Sequence, residues 1–405
     1  MKPIVFILAF LALHGYVQPF VFPSQVQNIM DKAVKNGMNE FALNLYKATL
    51  KEKSGNFVAS PFGAYIALAL ATYGAEGTTR QELWNVMHLP NETKTTEQFI
   101  KTSLQNIMNT FKGATDLTVL NKNQVFINES LSASRQYREI LRETFYTSFD
   151  TVNFPNTKQT AETINNWAKR VSRNRISEMV TSETLDPNTV LVLANALYFS
   201  GEWVQPFEEA RPRDFYVSEN VVKSVSMMIR YGNALHGNLP ALKANFIQLP
   251  YKNGNGREEA TYMYIIMPVQ GKDFAYLEEN ISSLKLEDLQ QGSVDDSIIS
   301  LPKFKMDTTL QLADHILKMG APTAFSGAAN FSRISVNPEG LAISKIVQRT
   351  SLAVDEIKTV VISLTNIELV ALAMPYIFKA DRPFLMVIAT KDVILFTGKV
   401  VDPTQ

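Results

Sequence analysis

The chain has 405 residues with 39 basic and 39 acidic side chains, so its formal net charge is zero, and 46% of its residues are hydrophobic. That balance supplies a large core and argues against broad electrostatic capture of nucleic acid or an anionic membrane. There is no cysteine, which excludes disulfides, a cysteine nucleophile and thiolate metal sites. At the N-terminus, Lys2 precedes a ten-residue apolar run over residues 4–13, too short to span a bilayer as a mature helix. The pattern predicts a secretory signal over residues 1–18, with Gly15 a plausible small residue near the cleavage point. Secretion to an extracellular location follows. In that setting the Asn-x-Ser/Thr sequons at Asn91, Asn128, Asn280 and Asn330 are candidate glycan acceptors, although Asn330 lies in an apolar stretch where a glycan would be awkward.

Helical patterning dominates the first half. Residues 39–50 carry Phe41, Leu43, Leu45 and Leu50 at helical spacing, and residues 65–73 form an Ala-rich segment suited to close packing. Gly74 to Gly77 ends that helix. Thr79 is a candidate N-cap for the next, with Glu82 as its capping-box partner. The second half is strand-rich. Residues 190–199 read as a buried central strand, and residues 262–267, 298–304, 385–389 and 393–396 as further strands. Helices followed by strands without regular alternation indicate an α+β class, and no linker divides the chain, so one domain over residues 25–405 is expected.

Motifs for catalysis or metal binding are lacking. The four histidines (His14, His88, His236 and His315) form no ligand pair, and no Gly-x-Ser-x-Gly elbow or phosphate loop occurs. The pair Asp314-His315 points apart on a helix and reads as a surface histidine. Lys169, Arg170, Arg173 and Arg175 fall on more than one helical face and read as solvated charge rather than a polyanion site. Neither an enzyme nor a cofactor is expected.

The last fifty residues are the most informative. Glu356 opens a long apolar-to-neutral run reaching Met374, followed by Phe378-Lys379-Ala380-Asp381-Arg382-Pro383-Phe384-Leu385 and then Leu395-Phe396-Thr397-Gly398-Lys399-Val400-Val401-Asp402-Pro403. Further upstream stand Asn56-Phe57-Val58-Ala59-Ser60-Pro61, Ile164-Asn165-Asn166-Trp167 and Leu193-Ala194-Asn195-Ala196-Leu197-Tyr198-Phe199-Ser200-Gly201-Glu202-Trp203. Leu249-Pro250-Tyr251, Leu301-Pro302-Lys303-Phe304 and Asn330-Phe331-Ser332 continue the series. In this order, and over nearly the whole mature chain, these blocks resemble the serpin family, in an insect- or arthropod-like secreted member. The resemblance implies a single-domain α+β fold of three β-sheets and about eight or nine helices, with an exposed reactive loop. It also makes Ser60 and Asn195 buried hydrogen-bonders near the sheet centre. The chain departs from the family at Gly63, where Ser is usual, at Asn330, where Asp is usual, and at Gln348-Arg349-Thr350, where His-Lys-Ala is usual.

The resemblance implies a monomeric inhibitor whose partner is a serine protease. The protease cleaves the loop and is held as an acyl-enzyme while the loop inserts as a new strand. The span from Glu356 to Asp381 is 25 residues, the length of an ungapped family loop, and places the reactive bond at Leu372-Ala373. Leucine there suits a chymotrypsin- or elastase-like enzyme, and no Arg or Lys lies between Lys358 and Lys379. The hinge residues are Glu356, Lys358, Thr359, Val361 and Ser363. In family register, Thr359, Val361, Ser363 and Thr365 face the core on insertion, while β-branched Val360 and Ile362 face outward and are stiff. Family members that inhibit usually carry Gly and small residues here. A non-inhibitory carrier, storage or binding protein is therefore the alternative, and a hydrolase has no supporting motif.

Overall fold

Apolar residues at Met30, Val34, Met38, Phe41 and Leu45 recur every three or four positions and are all buried, so the expected helix at 39–50 is the second half of a longer one, α1 (Ser24–Leu50). The computed structural model describes residues 24–110, 117–252, 260–269, 273–335, 340–356 and 374–405. Within these lie eight α-helices and fourteen strands. The next helix, α2 (Pro61–Gly74), is buried along its entire length. Alanine at positions 64, 67, 69 and 71 keeps it slim enough for that, and Ser60 caps it, its Oγ accepting from Gly63 N at 3.0 Å. The following helix, α3 (Gly77–Val86), begins without a side-chain cap. Thr79 and Glu82 do not form the expected capping box. Thr79 Oγ1 instead accepts from Asn330 N at 2.9 Å, and Glu82 takes the N–H and hydroxyl of Thr323. Long-range partners outcompeted the local ones. The remaining helices are α4 (Lys94–Thr110), α5 (Arg135–Glu143), α6 (Thr157–Val171), α7 (Phe274–Glu279) and α8 (Ala313–Lys318).

Five strands form one sheet in the order β10 (Phe304–Gln311), β11 (Lys345–Val354), β4 (Leu191–Gly201), β2 (Leu117–Asn128) and β3 (Phe149–Val152). On β4 the even positions Val192, Ala194 and Ala196 pack with Trp167 and Ile164 of α6, while Leu191, Leu193, Leu197 and Phe199 join the main core. Burial on both faces explains its near-continuous apolar sequence.

The other strands form a single nine-stranded ladder: β1 (Phe57–Ala59), β14 (Ile394–Val400), β13 (Phe384–Thr390), β8 (Thr261–Pro268), β7 (Ala244–Pro250), β6 (Val221–Leu239), β9 (Ser293–Pro302) and β12 (Tyr376–Lys379), with β5 (Arg211–Ser218) also on β6. Two of the three expected sheets are joined here because β6 runs for 19 residues through both. It turns at Gly232, whose φ of +122° suits only glycine. The predicted strand at 298–304 is two strands in fact, β9 and β10, interrupted at Lys303. The α+β expectation holds. The main core lies between the two sheets, where the rings of Phe199 and Phe396 meet edge to face at 5.2 Å.

Candidate functional site

The centre of the five-stranded sheet is a parallel seam. β11 pairs with β4 from Lys345–Val192 to Leu352–Phe199, and antiparallel neighbours β10 and β2 flank it. Parallel pairing is slightly weaker per residue than antiparallel pairing. Beneath the seam a polar network interrupts the apolar core. Asn195 and Gln348 sit directly opposite each other in register, and both are fully buried. Gln348 Nε2 donates to Asn195 Oδ1 at 2.9 Å and to Ser60 O at 2.8 Å, and its Oε1 accepts from Ser60 N at 2.8 Å. Asn195 Nδ2 donates to Asn121 Oδ1 at 2.7 Å and Asn123 Oδ1 at 3.0 Å. Ser60 Oγ donates to Leu395 O in the other sheet at 2.9 Å. The expectation that Ser60 and Asn195 are buried hydrogen-bonders is met.

Two of the sequence departures are explained together here. A Cβ on Gly63 would stand 2.4 Å from Asn195 Oδ1, so a side chain at 63 and the present Asn195 position exclude each other. Gln348, in the place of the usual histidine, reaches both Ser60 and Asn195 with one carboxamide. Sequence reasoning flagged Gln348 as a departure but not as a bridging group, because the strand register that sets it opposite Asn195 is a long-range property.

β11 ends at Val354, and the chain leaves the sheet at Asp355 and Glu356. Trp203 Nε1 donates to Asp355 O at 3.0 Å, and its indole stacks on Tyr251 with centroids 4.3 Å apart. Glu356 is the one predicted hinge residue among the described residues. Lys303 Nζ donates to its Oε2 at 2.9 Å, and Ala210 N to its Oε1 at 3.2 Å. Burial pushes the Glu356 carboxyl up, but the Lys303 ammonium and the backbone N–H donors outweigh it and hold it below the usual carboxylate range. The same pairing raises Lys303 above the ordinary ammonium value. Leu372, Ala373, Lys358, Thr359, Val361 and Ser363 lie outside the described residues. The chain is described again from Met374, which is 94% exposed, and enters β12, parallel to β9. There Tyr376 stacks on His236 at 3.5 Å between centroids, and His236 Nε2 meets Asp295 Oδ2 at 3.0 Å. The stretch of chain between Glu356 and Tyr376 is therefore rooted in the five-stranded sheet at one end and in the nine-stranded sheet at the other.

Other predicted positions fall as follows. Asn91 and Asn330 are exposed, whereas Asn128 and Asn280 are half-buried, and Asn280 Nδ2 donates to Tyr276 O at 2.8 Å. The apolar neighbours of Asn330 do not bury it, contrary to expectation; its backbone is pinned by Glu76 and Thr79 and its side chain faces outward. His315 is not a surface residue. It is 1% exposed, its Nδ1 lies 3.2 Å from Gln311 O, and its Nε2 is 3.5 Å from Glu52 rather than paired with Asp314. Packing of the short helix α8 under the end of α1 buries it. Lys169, Arg170, Arg173 and Arg175 are all exposed, and Arg175 lies over the Tyr198 ring. Among the described residues no group of three or more His, Asp or Glu could hold a metal, and no helix is long and apolar enough to cross a membrane.

Comparison with known proteins covers the same ground. A family model described as Serpin (serine protease inhibitor) matches residues 36–403. The chain is 28% identical to Ipis-1 of Ixodes persulcatus, over 92% of this chain and 99% of that one. It is 26% identical to an antitrypsin of Bombyx mori, over 91% and 94%. Among solved structures it is similar to Serpin48 of the insect Tenebrio molitor, with a TM-score of 0.81, 27% identity and coverage of 92% and 98%. It shares its fold with human thyroxine-binding globulin, with a TM-score of 0.82 at 24% identity over 93% and 100% of the two chains. A family match over residues 36–403, on a fold in which β11 leads out of one sheet and β12 begins in the other, leaves one conclusion: the protein belongs to the serpin family.

Proposed function

We propose that this serpin is a secreted suicide inhibitor of a chymotrypsin- or elastase-like serine protease, cleaved at Leu372-Ala373. The observation that carries the reading is the direction of the seam. The loop continues from the end of β11, so after cleavage it can fold back between β11 and β4, antiparallel to both. Insertion then replaces one parallel pairing by two antiparallel ones. The new strand gains ladder hydrogen bonds and buries apolar surface, and this supplies the work of trapping. A Bombyx mori relative carrying the name antichymotrypsin-2 supports the chymotrypsin-like class, and one named antitrypsin supports a serine protease target in general. The exposed amides of Asn91 and Asn330 suit a glycan better than Asn280, which would give up its bond to Tyr276.

Mixing the protein with chymotrypsin is expected to give a one-to-one complex stable in SDS, with the cut after Leu372 by mass spectrometry. Leu372→Arg is expected to move the preference to trypsin. Complete cleavage with full protease turnover across a panel of such enzymes would overturn the inhibitor reading. A carrier or storage role, favoured by the stiff Val360–Ile362 hinge, would then stand in its place. Alanine at 360–362 with Lys358→Gly separates the two: it is expected to raise the ratio of trapped to cleaved product if slow insertion is the limit.

A further inference from the structure

Three helices end around one cavity of about 450 Å³: α1 at Leu50, α3 at Val86 and α8 at Lys318. That volume is within the range of small-ligand sites. Ala48, Val86 and Met319 give the cavity apolar walls, and the exposed lysines Lys47, Lys51 and Lys318 also line it. Lysines at helix ends often answer unpaired carbonyls, but here the backbone already does so. Thr49 O accepts from Glu52 N at 3.0 Å and from Lys53 N at 3.1 Å, Asn85 O from His88 N at 2.9 Å, and Ile316 O from Ala321 N at 3.3 Å. His88 is engaged as well, with Nδ1 at 3.1 Å from Glu40 and Nε2 at 3.1 Å from Asn44. One polar atom of the lining is not. His315 is 1% exposed, its Nδ1 is turned to Gln311 O, and its Nε2 makes no hydrogen bond among the described residues. The Glu52 carboxylate faces it at 3.5 Å and stands 3.7 Å from Lys318 Nζ, too far from either for a good hydrogen bond. Glu52 is the only carboxylate of the lining, and its side chain is 44% exposed.

We propose that this cavity binds a small phosphate monoester, with the phosphate between His315, Lys318 and Lys47 and the organic body against Ala48, Val86 and Met319. Glu52 marks the position. A carboxylate tethered to the chain already sits between the imidazole and the Lys318 ammonium, but cannot close on both. A free phosphate has three acceptor oxygens and can, and Lys47 and Lys51, which have no ion-pair partner among the described residues, add to the charge that receives it. With Nδ1 donating to Gln311 O, Nε2 bears its own hydrogen in the imidazolium form, which a bound dianion favours. Glu52, being exposed, turns out to water as the ligand enters. A buried nitrogen without a partner is a standing cost, and the ligand removes it. The site does not depend on how the reactive loop behaves.

Calorimetric titration of the full chain with phenyl phosphate tests the site. Saturable one-to-one binding is expected, roughly ten-fold or more weaker for the Lys47→Glu/Lys318→Glu variant and for inorganic phosphate. Glu52→Gln, which removes the competing carboxylate, is expected to bind several-fold more tightly. All of these substitutions are at exposed positions, so the variants keep the fold. Absence of binding, or equal affinity in the wild type and the double variant, overturns the site. Equal affinity for inorganic phosphate overturns an organic ester as its ligand. Nitrogen NMR of histidine-labelled protein supplies a readout that surface lysines alone would not move. The His315 ring signal, identified by its loss in His315→Gln, is expected to shift on titration while that of His236 stays. A His315 signal that does not move at saturation overturns the contact on which the proposal stands.

Discussion

Gln348 joins Ser60 to Asn195 through one buried carboxamide. Replacing it by Leu removes the partners of Ser60 N and Asn195 Oδ1 while leaving both in the core. Each stranded group costs about 1–3 kcal/mol. The Gln348→Leu protein is expected to lose about 2–4 kcal/mol, read as a lower unfolding midpoint in urea; an unchanged midpoint would mean that water fills the gap. Arg230 presents the opposite case. It is 2% exposed, and among the described residues none of its three guanidinium nitrogens has a hydrogen-bond partner. Burial pulls it down to about 10, which still leaves it charged at neutral pH. The Phe207 ring 5.9 Å away is its visible compensation. Buried charge without a partner is costly, and an apolar replacement of similar length removes that cost. Arg230→Met is expected to stabilise the protein by about 1–3 kcal/mol, measured by thermal unfolding. A loss would show that the guanidinium is compensated by more than that ring.

At the scale of elements, the base of the loop is held by the ion pair between Glu356 and Lys303. Because the folded-state carboxyl lies below its ordinary value of 4.5, its contribution is present above that value and fades as pH falls through the depressed one. Lys303 is raised above its ordinary 10.5, so its share is present below that and is lost as pH rises past the folded value. Lys303 is about half exposed, so the pair is screened and worth about 0.5–1 kcal/mol. Glu356→Gln is expected to unfold slightly earlier than the wild type at pH 7, with the difference shrinking as pH is lowered through 4.5; a difference independent of pH would assign the effect to packing. Elements were largely legible from periodicity. The buried run at 190–199, the Ala-rich helix and the closing strands stand where their patterns put them. Failures came where distant partners decided. Thr79 and Glu82 had a good local cap available and bind a loop some 240–250 residues away instead. His315 looked like surface until α8 was packed under α1. The break at Lys303 is invisible in an apolar run that supplies strands to two different sheets. At the candidate site, Ser60 and Asn195 were readable by resemblance, whereas the bridging role of Gln348 is written in no contiguous motif.

For the whole molecule, the seam predicts that the form with a cut loop is the more stable. Cleavage after Leu372 by a small amount of chymotrypsin, followed by heating alongside uncut protein, is expected to raise the unfolding temperature by about 10 °C or more, from roughly a dozen added ladder hydrogen bonds and their burial. Equal temperatures would mean that the loop stays outside and the serpin fold serves another role.

The short strand β12 then takes on a meaning beyond sheet pairing. An intact loop is tethered at Tyr376, so it can slide into the seam uncut only by drawing chain away from β9. Four parallel pairs and the stacked His236 ring resist that. If the loop inserts as proposed, the lifetime of an unused molecule in storage is set by how often four residues peel from the edge of a sheet. On the proposed insertion reading, ageing of this protein is a local event at β12, which begins three residues beyond the proposed reactive bond.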